Sequence, residues 1–240
     1  MEPQPTKAGW SVWDPLLIYL ASFILSIFAL VIAGLAGYLD LENIDAAEEL
    51  PKVLAVLAPA QFAAMLAGIR LVSSRKGSGD MKRDFRLRYQ SGDWVALLYG
   101  VGLLLAAGLI LSFAFEALGI DPGTQQVVEA AEGAERLPEK LIITVVIAVL
   151  APVAEEILFR GMLFDALLAR TSIKRTVWIS GVVFGLVHLI DPATLPLVPA
   201  LIGLGVILGY ARQKTDSLSR PILMHIGFNS VTAIGLFIAV

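Results

Sequence analysis

The sequence predicts an all-α integral membrane protein, a bundle of about seven transmembrane helices forming a single membrane domain over residues 1–240. Three observations carry this. Of 240 residues, 57% are hydrophobic and 16% are charged, whereas soluble domains are about 45–50% apolar and about 25% charged; the mean hydropathy is +0.79. Apolar runs near the roughly 20 residues that cross a bilayer recur along the chain. The loops between these runs alternate in charge.

The first span is expected over residues 16–39. It is longer than the roughly 7–15 residues of a signal-peptide apolar region, so it reads as a retained helix rather than a cleaved leader. Spans two, three and four come next, over 52–72, 94–118 and 140–168. Spans five and six, 175–190 and 194–211, are short and flank Asp191-Pro192, with Pro196 and Pro199 close behind. These prolines predict a bend or local unwinding, tolerated where neighbouring helices or a cavity satisfy the freed backbone. Six full spans with one re-entrant piece is therefore a second reading. Span seven is expected over 218–240. No internal repeat or low-complexity tract interrupts this order.

The charges fix an expected orientation. Arg70, Arg75, Lys76, Lys82, Arg83, Arg86 and Arg88 cluster between spans two and three, around a basic loop at 73–93. Arg170, Lys174 and Arg175 follow span four, and Arg212, Lys214 and Arg220 follow span six. The opposite loops carry Asp40, Glu42, Asp45, Glu48 and Glu49, then Asp121, Glu129, Glu132 and Glu135. The excess of Lys and Arg places the basic loops in the cytoplasm, the N-terminus with them and the C-terminus outside. The stretch 70–88 reads as a topology determinant in contact with anionic lipid, with docking of a substrate's cytosolic tail as the alternative. Gly205-x-x-x-Gly209 reads as a close helix-packing face.

Composition also excludes chemistry. The net charge of −3 offers nothing for nucleic acid to bind. The absence of cysteine removes disulfides, Cys-ligated zinc, iron–sulfur clusters and a thiol nucleophile.

Three short patterns sit inside the apolar segments: Glu155-Glu156-x-x-x-Arg160, Phe184-x-x-x-His188 and His225-x-x-x-Asn229. They contain both histidines of the chain. Ionisable groups at membrane depth are costly and by default mark a functional site. Residues four apart share a helix face, so Glu156 and Arg160 can pair. Glu155 lies about 100° around the helix and offers a second carboxylate. Neighbouring carboxylates in a low-dielectric site resist joint ionisation, so one Arg could hold one Glu charged and leave the other as a proton acceptor. Pro152, just before the pair, is expected to kink the helix. By helix rise, His225 lies about 12 Å from the cytoplasmic end of its span, and the Glu pair and His188 about 20 Å; tilt could bring them level. Two carboxylates, two imidazoles, a guanidinium and an amide suit activation of water and stabilisation of an oxyanion. Singly, each residue also fits a buried ion pair or a packing histidine. Jointly, that reading needs three helices to carry unnecessary polar costs. Phe184 reads as packing.

In this order on successive apolar helices, the three patterns resemble the CPBP family, the CAAX prenyl proteases of the Ras-converting type and the bacteriocin-processing or immunity (Abi) proteins. The resemblance covers about residues 140–235. It implies an intramembrane endopeptidase in which Glu155 is the general base on a catalytic water, assisted by His188. His225 and Asn229 would polarise the scissile carbonyl and stabilise the oxyanion, and Glu156 and Arg160 would orient Glu155. The implied partners are the bilayer and a peptide or membrane-protein substrate, prenylated in the CAAX-type reading. No cofactor is expected. The chain lacks a His-Glu-x-x-His helix, yet zinc stays open, with Glu155, His188 and His225 as the ligands. Two other classes fit the same residues: a proton-coupled transporter, since such groups build proton relays, and a non-catalytic immunity or scaffold protein.

Overall fold

The computed structural model describes residues 9–44, 48–121 and 123–238; Asp45 of the acidic loop lies outside them. Among the described residues the regular structure is wholly helical. The helices are α1 (Trp13–Leu35), α2 (Leu50–Lys76), the short α3 (Met81–Asp84), α4 (Val95–Leu118), α5 (Gln126–Gly133), α6 (Leu137–Leu168), α7 (Ile173–Val187), α8 (Val198–Thr215) and α9 (Ser219–Ile238). By length and apolarity six described segments suffice to cross a membrane: α1, α2, α4, α6, Ile173–Ile190 and Pro192–Thr215. The seventh expected span is also a helix, the 20-residue α9.

The helices pack as a bundle in lipid demands. With no water to satisfy backbone groups, each span closes its own hydrogen bonds, and close packing favours small residues inside. α1 buries Ser22 and Ser26, whose hydroxyls donate to Tyr19 O and Phe23 O at 2.7 Å each. Its large residues Leu17, Leu25, Phe28 and Ile32 face outward. α1 packs on α2, α4 on α9 and α7 on α8. At the α4–α9 contact a side chain on Gly100 would strike the Met224 carbonyl, and one on Gly227 the Leu97 carbonyl. α6 is the most buried of the spanning helices, with Leu158, Phe159, Met162 and Phe164 closed off in the core.

α6 departs from the expectation of a simple proline kink. It contains two π-helical segments, Val146–Leu150 and Ile157–Leu163, on either side of the α-helical turn that holds Glu155 and Glu156. Each π turn inserts a residue into the helical repeat and so rotates the next turn of the helix. Pro152 stands in the α-helical turn just past the first of them. The bend between spans five and six lies where Asp191-Pro192 predicts it, as two 3-10 segments, His188–Ile190 and Pro192–Leu197. Local side chains satisfy its backbone: Asp191 accepts from Ala193 N at 3.0 Å, and Thr194 Oγ1 donates to His188 O at 2.6 Å.

The basic end corrects the lipid-contact reading for Arg86, and Arg212 joins it. Arg86 and Arg212 are buried against the Asp165 carboxylate of α6, each at 3.3 Å. Arg212 also reaches Asp216 at 3.0 Å, and its Nε donates to the Arg160 carbonyl at 3.3 Å. A buried guanidinium needs a fixed acceptor, so these two cations clamp the basic loop and α8 onto α6. Trp10 adds a second clamp. Its indole N–H donates to Met162 O at 3.2 Å and its ring stacks on Phe85 at 5.4 Å. Nearby, Asp84 accepts from the hydroxyls of Ser73 and Ser78 at 2.6 Å each and from Ser78 N. Burial alone would raise this carboxyl, but those hydrogen bonds outweigh it and hold it below the usual carboxylate range.

Candidate active site

The three patterns converge. Glu156, on the α-helical turn between the π segments, is fully buried, as is Arg160 one turn on. Arg160 Nη1 donates to Glu156 Oε1 at 2.7 Å, the i,i+4 pair expected from spacing. Arg160 Nη2 donates to Gly205 O at 3.0 Å. That carbonyl is reachable because α7 and α8 meet through glycines: a side chain on Gly205 would stand 2.7 Å from Gly181 O. Gly205-x-x-x-Gly209 is thus a packing face that also presents an acceptor to Arg160. The Arg160 guanidinium lies 4.3 Å over the Phe184 ring, a cation–π contact strengthened by exclusion of water.

His225 of α9 reaches the pair from across the bundle. Its Nδ1 lies 3.0 Å from Glu156 Oε1 and its Nε2 3.8 Å from Glu155 Oε2. Residues that helix rise alone would place at different depths therefore meet. A carboxylate only accepts, so Nδ1 carries hydrogen and Nε2 faces Glu155. The two carboxylates have different surroundings. Glu156 holds two partners on one oxygen and is sealed, whereas Glu155 keeps 15% of its side chain exposed. Glu156 Oε2 and Arg160 Nε are buried without a hydrogen-bond partner among the described residues.

His188 sits just past the last residue of α7, as its C-cap. Its Nδ1 donates to Phe184 O at 2.8 Å, since a carbonyl can only accept. In a neutral ring that puts the hydrogen on Nδ1 and makes Nε2 the acceptor. Phe184 is fully buried, as packing requires. Its ring lies edge-on to both imidazoles, 4.9 Å from His188 and 5.5 Å from His225. Among the described residues, His225 rather than His188 is the imidazole within ion-pair reach of Glu155. Asn229, one turn beyond His225, is partly exposed, and its Nδ2 donates to Ile147 O at 3.0 Å.

Tyr19 of α1 also reaches the site and escaped the sequence reading. Its ring lies 6.2 Å from Phe159, its hydroxyl donates to Val187 O at 3.4 Å, and Glu155 is its charged neighbour. The sequence carried no clear signal, because the fourth residue of the expected span 16–39 reads as one of the aromatic residues with polar tips that collect at the membrane interface.

Among the described residues no group of three His, Asp or Glu side chains is placed to hold a metal ion. Both imidazoles hold Nδ1 in a hydrogen bond, His188 to the Phe184 carbonyl and His225 to Glu156, and His225 Nε2 lies 3.8 Å from Glu155 Oε2.

A family model for type II CAAX prenyl endopeptidase, Rce1-like, matches residues 137–231, a stretch that includes all of the polar residues of the three patterns. The chain is 25% identical over 131 residues to the "Putative membrane peptidase YdiL" of Bacillus subtilis (strain 168). That alignment covers 55% of this chain and 51% of the relative, so the chain spans about half the length of the curated protein it matches. No solved structure matches. Residues 137–231 of this multi-pass integral membrane protein are thus similar to the type II CAAX prenyl endopeptidases, Rce1-like, in line with the resemblance carried by the three patterns.

Proposed function

We propose that the protein is an intramembrane endopeptidase that hydrolyses a peptide bond with a water activated by Glu155. The observation that carries this reading is the division between the two carboxylates. Glu156 is sealed and held by Arg160 and His225, while its neighbour Glu155 stays partly accessible with an imidazole 3.8 Å away. A fixed carboxylate positions; an accessible one can take a proton.

In the reaction, Glu155 takes a proton from water as the water oxygen bonds to the scissile carbonyl carbon. His188, with Nε2 free, holds the water by accepting its second hydrogen. His225 as an imidazolium, held by Glu156 through Nδ1, and the Asn229 amide donate to the oxyanion that forms. Collapse breaks the C–N bond, and Glu155 returns its proton to the leaving amine. Glu156 and Arg160 act as positioning residues. The chemistry is glutamate-based, with no step assigned to a metal.

In this reading the site opens towards the basic face, taken as cytoplasmic from its excess of Lys and Arg, with the C-terminus outside. The substrate is a peptide or membrane protein processed near its C-terminus, with CAAX-type prenylated chains as the leading class; a prenyl chain would reach the site laterally through the bilayer. The family description and the name of the Bacillus subtilis relative support the peptidase reading.

The test is cleavage of a quenched-fluorescent prenylated CAAX peptide and its unprenylated twin by purified protein, with and without Glu155→Ala and a chelator. Cleavage that needs Glu155, prefers the prenylated peptide and survives the chelator is expected. Loss of activity in chelator, restored by added zinc, would refute the glutamate chemistry. Equal rates on the two peptides would remove prenylation from the specificity. Cleavage unaffected by Glu155→Ala would remove the assigned base.

A further inference from the structure

The carbonyl to which Asn229 donates has lost its backbone partner for a reason visible in the sequence. In an α-helix the carbonyl of residue i accepts from the N–H of residue i+4, and in a π turn from residue i+5. Across the first π segment the Ala151 N–H bonds Val146 O, five residues back. Ala151 is therefore not available to Ile147. The next donor in the π register would be residue 152, a proline with no N–H. In an unbroken α-helix the same proline would vacate the carbonyl of Ala148; the π turn moves the vacancy to Ile147. Asn229 Nδ2 fills it at 3.0 Å. A side-chain amide nitrogen carries two hydrogens. One is spent on the backbone and the other is left for a ligand, on a residue that is only partly buried.

We propose that Pro152 is a positioning residue for Asn229. By vacating the Ile147 carbonyl inside the π turn, it supplies the acceptor that locks the Asn229 amide and so aims its second N–H at the developing oxyanion. A donor fixed before reaction needs no reorganisation during it, which is where such groups gain their effect. The turn that presents Glu155 is then the same element that orients the amide opposite it. The catalytic half of this proposal rests on the peptidase reading above; the anchor does not.

A four-protein cycle tests both halves: wild type, Pro152→Ala, Asn229→Ala and the double variant, each followed by kcat, KM and thermal midpoint in detergent. Alanine at position 152 restores an N–H that competes for Ile147 O. Pro152→Ala is expected to lower kcat roughly tenfold with little change in KM, short of the roughly hundredfold typical of deleting an oxyanion donor. The double variant should be no slower than Asn229→Ala alone, because both act through one group. Asn229→Ala should lower the melting temperature markedly when Pro152 is present, and by less than half as much in the Pro152→Ala background. Full kcat in Pro152→Ala, or losses that multiply in the double variant, would overturn the positioning role. Equal thermal penalties in both backgrounds would overturn the anchor. Pro152→Ser supplies the same N–H and repeats the cycle if the alanine protein does not accumulate. If wild type cleaves no peptide, the peptidase reading and the catalytic half fail together, while the thermal cycle still decides the anchor.

Discussion

Substituting Gly205 by alanine probes the link between helix packing and the site. A Cβ there would stand 2.7 Å from Gly181 O, 2.8 Å from Gly181 Cα and 3.2 Å from Arg160 Nη2. The first two are backbone atoms and cannot swing aside. Ordinary carbon contacts are about 3.5–4.0 Å, so α7 and α8 must separate locally by about 0.7 Å or more. Overpacking of this kind costs about 1–3 kcal/mol, offset in part by the roughly 1 kcal/mol that alanine gains over glycine in a helix. The same separation pulls Gly205 O from Arg160 Nη2, now 3.0 Å away, weakening a charged hydrogen bond of about 1.5–3 kcal/mol. A net loss of about 2 kcal/mol is expected, with slower cleavage because Arg160 holds Glu156. Gly209→Ala is the control: its Cβ would meet Val177 Cγ1 at 3.5 Å and Ser180 Oγ at 3.6 Å, ordinary contacts. That variant should lie within about 0.5 kcal/mol of wild type or above it. Unfolding of both variants in detergent, monitored by fluorescence, makes the comparison. Gly205→Ala as stable and as active as Gly209→Ala would refute the reasoning.

The basic end yields two further outcomes. Asp165→Ala removes the carboxylate that faces both Arg86 and Arg212 at 3.3 Å, and should destabilise the protein by about 3–5 kcal/mol, the cost of breaking a buried pair, read as a lower unfolding midpoint. Asp84 has a lowered pKa when folded, so its contribution is full above the unfolded carboxylate value of about 3.9 and is lost as pH falls through the folded value. The stability gap between wild type and Asp84→Asn should accordingly be constant near neutrality and close in acid, as measured by unfolding midpoints across pH.

What was legible in the sequence was what the bilayer enforces. Seven apolar runs became helices because lipid leaves no other way to satisfy the backbone, and their ends fell within a few residues of expectation. Glu156, Arg160 and His225 stood out because hydrocarbon penalises them, and the structure joins them through one carboxylate oxygen. The π turns were not legible. Their apolar residues, such as Val146–Leu150, read equally well as α-helix, and the register is set by partners far along the chain. Pro152 signalled a break but not its form. Arg86 read as a lipid-facing cation, and Arg212 as a plain loop charge, because their acceptor, Asp165, is distant in sequence and lies on another helix. Tyr19 read as an interfacial aromatic residue because its neighbours, Phe159 and Val187, come from α6 and α7.

The central claim is that Glu155 is the base and Glu156 its fixed neighbour. The most direct measurement is the initial cleavage rate of Glu155→Gln against wild type at matched folded concentration, confirmed by equal thermal midpoints. Glutamine keeps the size and loses the proton acceptor. The account predicts a fall in kcat of about 10²–10⁴-fold with the fold intact, since Glu155 is the partly exposed member of the pair. A folded Glu155→Gln protein that cleaves within a few-fold of wild type would contradict it.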